Sequence, residues 1–238
     1  MLRRIDHNIW VAEQPLRYFG LGIGARMSVV RLSNKDLAVI SPISLSPGLQ
    51  QQLAELGRVA HIIETNLYHH FFAAECKGQY TQATFWAAPG LAEKKPALPI
   101  DNVLPPEVGS GLPGLETIFL EGFKTFGSGG FEELNEYVFF HADSRTLILT
   151  DAAFHFDDTF PPLTQFVARV TGLYNNLSPS WLERIATKDK EPVRKSLEKI
   201  LCWDFERGIM AHGSLVERHG KERFRAGYEK LLGDALLK

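Results

Sequence analysis

The sequence predicts a layered α/β protein, in which strands form sheets and helices cover the outer faces of those sheets. Residues 37–64 show strand, helix and strand patterns in succession, which indicates a β-α-β unit with two parallel strands. Residues 137–140 and 146–151 are nearly continuous apolar runs around a polar turn, which is typical of a sheet covered on both faces. From residue 160 the apolar residues recur at helical spacing. These observations place the strands in two groups with helices outside them.

The elements of the first half follow from turn and cap residues. Residues 33–36 (Ser-Asn-Lys-Asp) separate two apolar runs and predict a β-hairpin. Ser46 and Pro47 are typical of a helix start, and Gly57 is typical of a helix end. In chain order we expect strands at 8–12, 27–32, 37–43, 59–64 and 84–87, and helices between 46 and 57 and at 71–80.

The second half combines further strands with helices that carry apolar stripes. Residues 91–115 are rich in proline and glycine, which predicts a surface excursion rather than a linker between domains. Asp189 is a candidate N-cap, and Pro192 is typical of the first turn of the helix that follows it. We expect strands at 117–120, 137–140, 146–151 and 207–211, and helices at 163–170, from 178 onward, at 193–201 and at 224–232.

Length and composition predict one domain. A chain of 238 residues that is 45% hydrophobic can bury a large core without disulfide support. We expect residues 1–238 to form a single domain, with the Pro/Gly-rich excursion at 91–115 and a helical C-terminal part.

The charge and the lack of long apolar runs exclude several kinds of partner. A formal charge of −2 and a pI near 6.5 provide no basic field for nucleic acid or for an anionic membrane. Two cysteines are too few for a disulfide scaffold. No signal peptide pattern and no apolar run near the roughly 20 residues of a membrane span is present. We therefore expect a cytoplasmic protein with no nucleic acid or membrane partner. The identity of a small-molecule substrate and the oligomeric state do not follow from the sequence.

Four residues at predicted strand ends form a candidate metal site. His69 and His70 follow the strand at 59–64, Asp151 ends the late hairpin, and His212 follows the strand at 207–211. Imidazole and carboxylate groups together suit zinc, and also iron or manganese. The alternative interpretation is structural, since single histidines are commonly hydrogen-bonded in folded proteins and an aspartate can cap the segment after its strand.

The order of these elements resembles that of the metallo-β-lactamase superfamily. The resemblance covers roughly residues 8–215 and is carried by three stretches, at 63–71, 146–154 and 209–214. It implies a four-layer αββα sandwich. It also implies hydrolysis at one or two metal ions, with a metal-bound water as nucleophile.

The sequence departs from that family at its first metal site. The family's first loop reads Thr-His-x-His-x-Asp-His, and an alignment on Thr65 puts Asn66, Tyr68, His70 and Phe71 at the four ligand positions. The family's earlier strand ends in aspartate, whereas this one ends in Ser41. The family's Gly-His loop is replaced by residues 127–130. Glu132, Glu133 and Glu136 follow that loop, and the spacing does not select which of them replaces a ligand.

The second metal site of the family is better preserved. The resemblance implies one metal ion held by His70, Asp151 and His212, with His69 as the alternative ligand if the loop register differs by one. Tyr68 and His155 are candidates for the residues that support those ligands, although His155 also fits an exposed loop histidine.

Two functions are consistent with this pattern. One is a divergent metal-dependent hydrolase that uses one ion, with zinc as the first choice and iron or manganese as alternatives. The other is a non-catalytic binding or scaffolding protein that kept the fold and lost the metal site, and that needs no metal.

Overall fold

The strands form two main sheets and two short hairpins in the computed structural model, which describes residues 1–105, 111–127, 129–234 and 236. In chain order the strands are Leu2–Asp6 (β1), Ile9–Gln14 (β2), Arg17–Tyr18 (β3), Leu21–Gly22 (β4), Ala25–Arg31 (β5), Leu37–Ile40 (β6), Val59–Glu64 (β7), Thr84–Ala87 (β8), Asn102–Val103 (β9), Glu116–Leu120 (β10), Lys124–Gly127 (β11), Gly130–Glu133 (β12), Glu136–His141 (β13), Thr146–Ile148 (β14) and Arg207–Ile209 (β15). The helices are Pro47–Leu56 (α1), Ala73–Gln79 (α2), Leu91–Lys94 (α3), Pro162–Thr171 (α4), Trp181–Ala186 (α5), Glu191–Ile200 (α6) and Gly220–Leu232 (α7).

The first sheet has the strand order β1-β2-β5-β6-β7-β8-β9. Its first four strands pair antiparallel, while β6, β7, β8 and β9 run parallel. The second sheet has the order β10-β13-β14-β15, and only its last pair, β14 with β15, is parallel. Both sheets therefore contain parallel strands whose carboxyl ends lead into loops.

Three hydrophobic clusters show that the chain forms four layers. Ile63 of β7 and Phe139 of β13 belong to one cluster, which lies between the two sheets. Leu53 of α1 packs with the opposite face of the first sheet. Leu197 of α6 and Tyr228 of α7 pack with the opposite face of the second sheet. Alternate residues of each strand thus point to the central core and to a helical layer, which produces the predicted αββα sandwich.

Several predictions for the first half are confirmed. Strands β5 and β6 form the predicted hairpin, and β6 pairs in parallel with β7. Ser46 caps α1 by accepting a hydrogen bond from the backbone N–H of Leu49, and the helix ends before Gly57. The late hairpin also forms, although β14 ends at Ile148, before Asp151.

The excursion at 91–115 differs from a simple surface loop. It contains α3 and β9, and three of its residues, Leu104, Leu112 and Leu115, are buried in the central core. Residues 106–110 of this predicted segment lie outside the described part of the chain.

The apolar stripe of α4 does not face a core. Leu163, Phe166 and Val170 are 59%, 63% and 69% exposed, whereas Thr164 and Ala168 are buried. Thr164 donates a hydrogen bond to the carbonyl of Gly22, so a polar side chain attaches this helix to the hairpin of β3 and β4. Within the described residues, no helix combines the length and apolar character that crossing a membrane requires.

Candidate metal centre

The predicted ligands come from loops that follow parallel strands in both sheets. His69 belongs to the loop after β7 in the first sheet. Asp151 and His212 follow β14 and β15 in the second sheet. Because the carboxyl ends of these strands meet at one edge of the sandwich, their loops can place the side chains together.

The structure brings His69, Asp151 and His212 into one cluster. One ligating atom from each lies within 4.8 Å of the others. The Nε2 atom of His69 is 3.1 Å from Oδ2 of Asp151, and Nε2 of His212 is 3.7 Å from Oδ1 of the same carboxylate. The three side chains are 14%, 16% and 10% exposed, so the cluster is largely desolvated and still reaches the surface.

Hydrogen bonds on the far side of each imidazole orient both rings. Nδ1 of His212 lies 2.6 Å from the carbonyl oxygen of Gly24. A carbonyl can only accept, so Nδ1 carries the proton and the lone pair of the neutral ring is on Nε2. Nδ1 of His69 lies 2.7 Å from Oγ of Ser41. Both Nε2 atoms therefore face Asp151 across the cluster. In metal-binding histidines, too, the nitrogen that does not bind the metal is held by a hydrogen bond.

A buried glutamate fixes the loop that carries Asp151. The two carboxylate oxygens of Glu136 accept hydrogen bonds from the backbone N–H groups of Thr150, Asp151 and Ala152. The Glu136 side chain is fully buried. Burial and the nearby Asp151 charge raise its pKa, and the hydrogen bonds oppose that rise.

Asn66 fixes the histidine loop and joins it to Asp151. Its Oδ1 accepts hydrogen bonds from the backbone N–H groups of Tyr68 and His69, at 2.8 and 3.0 Å. Its Nδ2 lies 2.9 Å from Oε2 of Glu136 and 3.0 Å from Oδ2 of Asp151. This turn places His69, rather than His70, beside Asp151.

Electrostatic coupling gives the three side chains different protonation states. Burial alone would raise the pKa of Asp151, but the neighbouring His69 and His212 and the bond from Asn66 lower it to about 2. Burial alone would lower the pKa of His69, but Asp151 and Glu136 raise it overall. Burial and the charge of His69 lower the pKa of His212 to about 4. Near neutral pH Asp151 is thus a carboxylate and His212 is neutral, which are the forms that bind a metal ion, whereas the raised pKa of His69 favours its protonated form, which a metal ion would have to displace.

The other predicted residues take different places. His70 is outside the cluster and is half-buried beside Phe71, and burial together with Lys95 and Lys94 lowers its pKa. Tyr68 donates its hydroxyl hydrogen to Glu132 at 2.7 Å and therefore does not support His70, Asp151 or His212 through that group.

His155 is buried rather than exposed. Its Nε2 lies 3.3 Å from the Arg223 guanidinium, and its backbone carbonyl accepts from the N–H of Ser214. It therefore supports the loop of His212 through its backbone, and its neighbour Phe154 stacks on the His212 ring at 6.5 Å. Metal binding by any of these residues stays a prediction.

Four supporting residues were not assigned these roles from the sequence: Gly24, Ser41, Asn66 and Glu136. For Ser41 a signal existed, since this residue stands where the resembled family ends its strand with an aspartate. The carbonyl of Gly24 carries no such signal, because its role depends only on backbone position.

Comparisons with known proteins agree with this architecture. A family model described as a domain of unknown function, DUF4336, matches residues 6–178. No curated protein matches the sequence.

Solved structures of metallo-β-lactamases superpose on nearly the whole chain. The enzyme from Pontibacter korlensis is 12% identical, with a TM-score of 0.64 and coverage of 98% of both chains. The one from Hirschia baltica is 11% identical, with a TM-score of 0.61 and coverage of 94% of both chains. The one from Erythrobacter litoralis, solved with β-mercaptoethanol in its active site, is 13% identical, with a TM-score of 0.65 and coverage of 96% of both chains. The chain therefore belongs to the DUF4336 family and has the metallo-β-lactamase fold.

Proposed function

We propose that the chain is a metal-dependent hydrolase with a single divalent ion held by His69, Asp151 and His212. The observation that carries this proposal is the convergence of their three ligating atoms within 4.8 Å, with both Nε2 atoms directed at Asp151. Two imidazoles and one carboxylate form a donor set typical of catalytic zinc sites with an open position. Iron and manganese accept the same donors.

The residues of the chain fit hydrolysis of an ester, amide or phosphoester in a small molecule. When bound, a divalent ion supplies Lewis acidity and lowers the pKa of a coordinated water to near 7. Gly24 and Ser41 hold the two imidazoles in their orientation. Glu136 and Asn66 hold the Asp151 carboxylate. This support keeps the donors in place in a desolvated site, where electrostatic effects on a reacting group are strong.

Metal analysis tests the site directly. The protein is purified without chelator, dialysed and analysed for zinc, iron and manganese, beside the His69→Ala, His212→Ala and His70→Ala variants. We expect about one ion per parent chain, since three donors and an open position complete one site. His69→Ala and His212→Ala should lose that ion, and His70→Ala, the matched control, should keep it. A parent protein that binds no ion even after incubation with each metal would refute the proposal.

Activity is tested separately with a panel of small ester, amide and phosphoester substrates. Turnover should fall after chelation and return when the metal is restored. If the chain binds metal and hydrolyses none of the three bond types, the proposed metal site is supported and the proposed hydrolysis is wrong.

One observation favours the non-catalytic alternative. Oδ2 of Asp151 already lies within hydrogen-bond distance of His69 Nε2 and Asn66 Nδ2, so the three polar groups satisfy one another within the protein. In that case His212→Ala would lower the free energy of unfolding equally with and without chelator. For a metal site, the loss on substitution should be smaller when the chelator is present, because both proteins are then metal-free and only the hydrogen bond and packing of His212 are lost.

A further inference from the structure

A second cluster of polar side chains lies next to the predicted ligands and consists of Tyr68, Lys94 and Glu132. The Tyr68 hydroxyl donates to Oε2 of Glu132 at 2.7 Å. The Lys94 ammonium lies 3.2 Å from the same oxygen and 3.7 Å from the centre of the Tyr68 ring. One cation thus contacts a carboxylate and the face of an aromatic ring at the same time.

Glu132 is an anion in this cluster. The Tyr68 hydroxyl, the backbone N–H of Gly129 and Lys94 all bind its carboxylate, and they lower its pKa to about 2. Tyr68 is the hydrogen-bond donor in this pair, so its side chain is a neutral phenol. The positive charge that balances Glu132 comes from Lys94, whose side chain is 29% exposed.

The position of Tyr68 connects this cluster to the metal centre. The backbone N–H groups of Tyr68 and His69 donate to the same oxygen, Oδ1 of Asn66. Hairpin β11–β12 packs directly on the phenol, since a Cβ atom at Gly127 would lie 2.7 Å from the Tyr68 hydroxyl. Tyr68 also stands at the position of the second histidine in the resembled family's loop. Among the three glutamates that follow the replaced Gly-His loop, Glu132 contacts Tyr68, whereas Glu136 binds the backbone of 150–152.

We propose that the Lys94 ammonium takes the place of a second metal ion, so that the protein accepts a divalent cation only at His69, Asp151 and His212. The assignment of that single ion rests on the proposed function, whereas the ammonium's role at Glu132 does not. A protonated amine cannot bind a metal, and its charge repels a divalent ion next to Glu132. The ion pair therefore sets the number of ions that the centre holds.

Removal of the Lys94 ammonium should create a new cation site at Glu132. Lys94→Met keeps much of the side-chain volume and deletes the charge. It leaves the Glu132 carboxylate without its cation, beside the neutral hydroxyl of Tyr68. Oxygen donors of this kind suit manganese and other hard divalent ions. The variant should therefore acquire a weak cation site that the parent lacks.

The experiment is a titration with Mn²⁺. Calorimetry measures the heat of binding, and electron paramagnetic resonance measures the concentration of the free ion. The background is the His69→Ala variant, in which the principal site is disabled. We expect His69→Ala/Lys94→Met to bind Mn²⁺ at least about tenfold more tightly than His69→Ala, because one unit of repulsion is removed. Adding Glu132→Gln should abolish that gain.

Two lysine controls separate the ion pair from general surface charge. Lys95→Met removes the adjacent lysine, which forms no ion pair with the described residues, and should leave Mn²⁺ affinity at the His69→Ala level. Lys94→Arg keeps the charge and should also leave it unchanged. Circular dichroism checks the folding of each variant, and Lys94→Gln in the same background replaces Lys94→Met if the latter does not fold.

If His69→Ala/Lys94→Met and its Lys94→Gln equivalent bind Mn²⁺ no better than His69→Ala, the ammonium does not exclude a second ion and the proposal is wrong. An equal gain in Lys95→Met would also contradict it. A parent chain without any metal would refute the proposed function alone, since the comparison in the His69→Ala background does not require the principal site.

Discussion

At the scale of single residues, Asn66 decides which histidine enters the cluster. Its side chain is fully buried and binds two backbone N–H groups of its own loop and the carboxylates of Glu136 and Asp151. The amide is suited to this role because it donates to two anions while it accepts from the backbone.

We predict that Asn66→Asp is strongly destabilising near neutral pH. A third carboxylate would lie against Glu136 and Asp151, and an uncompensated buried charge costs about 3–5 kcal/mol. The deficit should shrink as the pH falls, because the introduced carboxyl group regains a hydrogen-bond donor when it is protonated. Urea unfolding at pH 5 and pH 8 measures both effects. Asn175→Asp, at an exposed position, is the control and should change little. Equal stability of Asn66→Asp and the parent at pH 8 would show that the amide does not hold the two carboxylates together.

The sequence indicated where Asp151 and His212 lie, but for the third position it favoured His70 and gave His69 only as the alternative, whereas His69 is the residue in the cluster. Asp151 and His212 each follow an apolar strand in a recognisable context, so the ends of those strands indicate where the two residues lie. The direction of His69 depends on a local turn capped by the side chain of Asn66, which no periodic pattern encodes.

Glu64 provides a second prediction at this scale. Its two carboxyl oxygens are buried and have no hydrogen-bond partner among the described residues, and burial raises its pKa well above the usual value. A raised acid pKa means that the folded state loses stability as the pH rises from the unfolded value toward the folded one.

We predict that Glu64→Met is more stable than the parent at pH 8, by about 1–3 kcal/mol, because it removes an unpaired buried polar group. The advantage should be smaller at pH 5, where less of the unfolded chain's carboxyl is ionised. Denaturant unfolding at both pH values measures it. The control Glu55→Met, at an exposed position of α1, should change the free energy of unfolding little. A Glu64→Met protein that is less stable at pH 8 would mean that the carboxyl has partners that stabilise it.

At the scale of elements, the β5–β6 hairpin and the caps of α1 and α5 follow from local sequence, whereas the orientation of α4 does not. The cap of α6 also differs from the prediction, since it lies at Lys190 and not at Asp189. The capping box of α5, formed by Ser180 and Glu183, and the cap of α1 both begin helices close to the predicted residues. The stripe of α4 has helical spacing, but spacing alone cannot say whether a core covers it. In the structure a hydrogen bond from Thr164 to Gly22 orients the helix, and the stripe is left exposed.

We predict that the triple substitution Leu163→Gln, Phe166→Gln and Val170→Thr changes the free energy of unfolding by no more than about 0.5 kcal/mol per site, as for other exposed positions. The contrasting variant is Leu197→Ala in α6, where the side chain is fully buried and its loss should cost about 2–5 kcal/mol. Thermal and urea unfolding measure both. A loss of several kcal/mol in the triple variant would mean that these side chains are covered in solution.

At the scale of the whole molecule, the candidate centre lies where the two sheets meet. His69 comes from the first sheet, and Asp151 and His212 come from the second. Side chains and backbone groups join the sheets at this edge: the hydroxyls of Thr65 and Thr150 are 2.7 Å apart, and the N–H of Tyr137 donates to the carbonyl of Thr65. The order of elements was enough to predict the layers, but these contacts join residues that are 85 and 72 positions apart, which no local pattern links.

Arg26 also connects the two sheets at this edge and gives the last prediction. Its buried guanidinium, on β5 of the first sheet, donates to the carbonyls of Met210 and Gly213 on either side of His212, and it pairs with Glu13. Arg26→Met should lower the free energy of unfolding by about 2–4 kcal/mol, because the two carbonyls and Glu13 lose their donor. It should also weaken metal binding about tenfold, since His212 is then held less firmly. Arg3→Met removes the exposed partner of the same glutamate and should change either quantity little. Denaturant unfolding and metal titration of both variants measure the two effects. If Arg26→Met changes the stability and the metal affinity no more than Arg3→Met does, the two sheets hold the His212 loop without this guanidinium.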